Sequence, residues 1–90
     1  MKFMVSWKIP QDTLRPAVAR FLKTGGMPPA GVKMVGRWHG MSGNGWAIVD
    51  TDDPKALYTW AAEWLEFLPI ETTPVVEDAD AGAALGSLYK

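Results

Sequence analysis

Apolar and polar residues alternate from Phe3 to Ile9, with Phe3, Val5, Trp7 and Ile9 on one side and Met4, Ser6 and Lys8 on the other. That period of two predicts a half-buried strand, which Pro10 ends. The period then lengthens. From about Thr13 to Lys23, Leu14, Ala17, Val18, Phe21 and Leu22 recur at helical spacing, opposite Arg15, Arg20 and Lys23. Asp12 or Thr13 can cap this helix, Pro16 is tolerated in its first turn, and Gly25-Gly26 stops it. Val32 to His39 reads as a second strand. Its alternation turns Val32, Met34 and Trp38 one way and Lys33, Val35, Arg37 and His39 the other. The glycine-rich segment from Gly40 to Gly45 predicts a hairpin turn into a third strand, Trp46 to Thr51.

Asp52 or Asp53 can cap a second helix that opens on Pro54 and runs to about Leu68. Leu57, Trp60, Ala61, Trp64, Leu65 and Leu68 form its apolar stripe, and Lys55, Thr59, Glu63 and Glu66 its wet side. Pro69 terminates it, and Ile70 to Glu77 reads as a fourth strand in which Pro74 favours a sheet edge or a bulge. Asp78 or Asp80 can cap a short C-terminal helix through Leu88. The order strand–helix–strand–strand–helix–strand predicts one α+β domain over 1–90. It is a ferredoxin-like βαββαβ fold: a four-stranded antiparallel sheet with two helices on one face, plus the C-terminal helix.

Two helices leave the other sheet face open. If Phe3, Val5 and Trp7 meet the helices, then Met4, Ser6, Lys8, Val35, Arg37 and His39 lie on that open face. A wide, partly apolar face on a chain of this size favours burial against a second copy around a two-fold axis. Ninety residues bury roughly 64 % of their unfolded surface, a thin core that a partner layer would reinforce. A homodimer is therefore the expected assembly.

Composition narrows the chemistry. The absence of cysteine excludes a disulfide scaffold, a thiolate metal site and a cysteine nucleophile. No apolar run approaches the ~18 residues of a membrane span, and the N-terminus lacks a signal-peptide pattern. No membrane partner and a cytoplasmic location are the resulting expectations. The net charge of −1 hides an asymmetry: residues 1–37 carry +6 and residues 38–90 carry −7. The basic residues stand singly within regular elements, and the isoelectric point of about 5.7 points away from nucleic acid. Two helices lying side by side, one basic and one acidic, account for the asymmetry without a partner.

His39 is the single histidine, and so the natural candidate for a general acid or base, at a strand end beside a glycine turn. Arg37 is placed to fix an anionic or carbonyl group, with Ser6 and Lys8 as further polar candidates. Trp7, Trp38 and Trp46 can wall a flat ligand, while Trp60 and Trp64 read as core. One histidine without cysteine cannot complete a standard zinc site, and no cofactor is expected. Asp50, Asp52 and Asp53 could ligate a hard cation, but helix capping explains two of them and is the favoured reading. Gly40, Gly43 and Gly45 lack the lysine ending and strand-to-helix setting of a phosphate loop. The function these features favour is a homodimer that binds a small aromatic or anionic ligand in a sheet-lined cavity. The alternative is a non-catalytic dimerisation or interaction module.

The segments MKFMVSWKIP, GVKMVGRWHG, ALYTWAAEWLEFL and TPVVEDADAG resemble a family of short bacterial and phage proteins known only as a domain of unknown function. That family looks like a branch of the dimeric α+β barrel superfamily. The superfamily includes cofactor-free monooxygenases, haem-degrading enzymes, muconolactone isomerases and stress-responsive proteins. The resemblance implies a dimer with a ligand-sized cavity in each subunit, and leaves room for a monooxygenase-like or isomerase-like activity. It supplies no catalytic residue set.

Overall fold

A computed structural model describes residues 1–89. The chain runs β1 (Lys2–Lys8), a 3-10 turn (Gln11–Thr13), α1 (Leu14–Thr24), β2 (Lys33–His39), β3 (Asn44–Asp50), α2 (Pro54–Ala62), β4 (Ile70–Val75) and α3 (Asp78–Leu88). The four strands form one antiparallel sheet in the order β2-β3-β1-β4. This is the expected ferredoxin-like arrangement. β1 is central, and β4, which contains Pro74, lies at an edge where a missing N–H costs no ladder bond.

Val5, Ala47 and Val49 are buried where β1 and β3 meet the helices, and Val32, Leu57 and Trp60 close over them. Gly25 ends α1 in a left-handed conformation, φ 74°, with its N–H donating to the Phe21 carbonyl. Asp53 caps α2, its Oδ1 accepting from the Ala56 N–H at 3.1 Å, and Pro54 follows in the first turn. Neither Thr13 at the start of α1 nor Glu77 before α3 makes a side-chain cap bond. Thr13 donates its hydroxyl instead to the carbonyls of Pro10 and Phe67, tying the start of α1 to the segment after α2.

Two expectations are corrected. The second helix ends at Ala62 rather than near Leu68, and the chain descends to β4 through turns. The stripe therefore loses phase, and Leu65 is 51 % exposed. Leu14, Val18 and, most of all, Leu22 of α1 are also exposed, because Ala17 and Phe21 define the inward line of that helix.

An ion pair links the basic α1 to the acidic second half, and its acidic partner lies in the turns after α2 rather than on the helix. Arg20 of α1 pairs with Glu66 at 3.6 Å and lies over the rings of Trp64 and Phe67. No helix among the described residues is long and apolar enough to cross a membrane.

Candidate functional site

One irregularity in β2 decides where the polar candidates fall. Met34 pairs with Val49 and Gly36 with Ile48, so Val35 is an extra residue in a β-bulge. A bulge shifts the in–out alternation by one. Before it, Met34 faces the helices; after it, Arg37 and His39 do, opposite Ala47 and Gly45. The expectation that Arg37 and His39 share the open face with Met4, Ser6 and Lys8 is therefore overturned. Trp38, expected on the side of Met34, turns instead to the open face with its cross-strand partner Trp46.

The sheet thus divides the candidates into two groups. Trp7, Arg37 and His39 line a cavity of about 160 Å³ between sheet and helices. Ser6, Lys8, Trp38 and Trp46 lie on the opposite, open face.

The cavity is walled by Phe21 of α1, Trp60 of α2, Trp64 just beyond it, Trp7 of β1 and Ile70 and Thr72 of β4. Its lining is overwhelmingly apolar. Two of its lining residues are small: Ala17 on α1 and Ala61 on α2 leave room that larger side chains would fill. Gly45 sets the position of Trp7, since a Cβ there would fall 2.4 Å from the indole. That close approach lets the ring lie flat on β3.

Arg37 reaches from β2 to the end of α1. Its two terminal nitrogens donate to the carbonyls of Gly26 at 2.8 Å and Gly25 at 2.9 Å, and the guanidinium sits 4.9 Å above the Phe21 ring. A cation at a helix C-terminus, bonded to its free carbonyls, is favourable on both counts. The imidazole of His39 meets Phe21 and Trp7 edge-on, at centroid distances of 5.4 and 6.4 Å. Among the described residues no carboxylate lies within ion-pair range of it. His39 is also exposed, which places it at the mouth of the cavity. The buried Nε1 of Trp60 has no hydrogen-bond partner among the described residues.

The aspartates around β3 have structural tasks. Asp50 and Asp52 accept from the Met1 ammonium at 3.0 and 3.2 Å, and Asp53 is the cap. The bond from that ammonium holds the Asp50 carboxyl below the usual carboxylate range.

Trp60 and Trp64 were expected as core, and they pack there while also walling the cavity beside Phe21. The usable signal was the pairing of those rings with Ala17 and Ala61 on facing stripes. An α+β domain with a small, ring-lined cavity under its helices is the class that fold and site define. Residues 1–89 match a domain of unknown function, DUF3303, and the chain belongs to that family, as its segments led one to expect. No match to the chain was found among curated proteins or among solved structures.

Proposed function

We propose that the protein binds a small, single-ring molecule in the cavity under its helices, as a homodimer. The observation that carries this reading is the cavity itself. At about 160 Å³ it matches the ~150 Å³ apolar cavity that accepts benzene in an engineered core. Trp7, Phe21, Trp60 and Trp64 supply rings for stacking. At the mouth, the unused N–H donors of Arg37 and the imidazole of His39 meet a polar substituent, with His39 able to exchange a proton with it. Trp38 and Trp46, 58 % and 40 % exposed, support the dimer: together with Ser6 and Lys8 they form the face that a second copy covers.

Indole, phenol and benzoate are suitable probes, read by tryptophan fluorescence and by thermal midpoint. At ten times its dissociation constant, a bound probe stabilises by about 1.4 kcal/mol, about 6 °C or more for a domain of this size. Ala61→Leu fills the cavity and should abolish the effect while the variant still melts cooperatively. No shift with any probe at millimolar concentration, or binding that survives Ala61→Leu, would refute the reading. His39→Ala should weaken benzoate more than indole.

A further inference from the structure

The C-terminal helix has no place in the single chain. Every residue of α3 except Ala81 is exposed, including Leu85 at 54 % and Leu88 at 75 %, and the adjoining Tyr89 stands at 78 %. Eleven residues make a helix that is marginal in water by itself, and Gly82 and Gly86 weaken it by about 1 kcal/mol each. A surface must support it. Ala81, Ala84, Leu85 and Leu88 stand at i, i+3, i+4 and i+7, one apolar stripe of which only Ala81 is partly covered.

The dimensions say how much is missing. A compact chain of this length has a radius of gyration of about 12 Å, and this one has 15.3 Å with a long axis of 52 Å. Its accessible surface is 6435 Å², about 1,200 Å² more than the roughly 5,200 Å² of a folded monomer of this mass. That surplus exceeds the ~800 Å² that each partner buries in a standard interface. One uncovered surface matches the stripe. The open sheet face presents Trp38, Trp46, Ile48 and Met4, with Lys8 at one end, Lys33 and Asp50 at the other, and Glu71 on the β4 side.

We infer that α3 is an exchanged arm: in the homodimer each chain lays the Leu85–Leu88 stripe across the open sheet face of a second copy. The inference rests on the homodimer of the proposed function, though not on the cavity ligand. Sedimentation should give a dimer for the full chain. Leu85→Asp with Leu88→Asp should raise its dissociation constant ~100-fold or more while far-UV circular dichroism keeps the sheet and the first two helices. The chain lacks cysteine, so a nitroxide on Gly86→Cys is a unique probe. Mixed with unlabelled-spin, ¹⁵N-labelled chain, it should broaden the amides of Ser6, Trp38 and Trp46 in the other subunit. A dimer that survives the double substitution, or that shows no broadening at those amides, overturns the arm and leaves the dimer standing. A full chain that sediments as a monomer overturns both arm and dimer, whatever the cavity binds.

Discussion

At the scale of single residues, the unexpected behaviour belongs to Arg37. A lone arginine between apolar neighbours reads as a wet position or an anion contact. Here two of its nitrogens are spent on the carbonyls that end α1. A lysine cannot donate in that planar, two-pronged way. Arg37→Lys should therefore destabilise by about 1.5–3 kcal/mol in urea denaturation, the scale of hydrogen bonds to a charged group. Gly45→Ala should cost about 1–3 kcal/mol by overpacking, because the new Cβ lifts Trp7 from β3 into the cavity. Its signature is altered tryptophan emission together with weaker probe binding. Lys2 gives a pH prediction. Its ammonium bonds the Glu77 carboxylate at 2.7 Å, and that bond raises its pKa above the ordinary lysine value. The pair's small contribution is therefore complete at neutral pH and is lost as pH rises through the raised lysine midpoint. Following the lysine Cε resonance should show the midpoint falling back toward the ordinary value in Glu77→Gln.

At the scale of elements, the strands and helices were legible because their periods are unambiguous. The alternation in β1 and the Asp53-Pro54 opening of α2 both appear as expected. Asp53→Ala should cost about 1 kcal/mol and Asp53→Asn much less, measured by thermal or chemical denaturation. What stayed hidden was phase. A bulge leaves no trace in the hydrophobic pattern when the extra residue, Val35, is as apolar as its neighbours. That residue moved Arg37 and His39 across the sheet, so the alternation alone placed them on the wrong face, with Ser6 and Lys8. The end of α2 was hidden for a similar reason. Leu65 and Leu68 continue the helical spacing, yet the bond from Thr13 to the Phe67 carbonyl belongs to a chain already turning. Tertiary contacts of this kind override local pattern.

At the scale of the molecule, the cavity and the arm pull the same way. A thin core that also keeps a cavity of about 160 Å³ gives up packing inside the chain. The uncovered apolar face and the unsupported helix are where an assembly can recover it. If folding and assembly are coupled in this way, the folded state is favoured by mass action, and melting must depend on protein concentration. A two-chain unit of this length unfolds with an entropy of about 0.4 kcal/mol/K, so each tenfold rise in concentration should lift the melting temperature by about 3–4 °C. A monomer's midpoint would not move. The Leu85→Asp, Leu88→Asp variant should melt lower than the parent and lose the concentration dependence, whereas Ala61→Leu, altered only inside the cavity, should keep it.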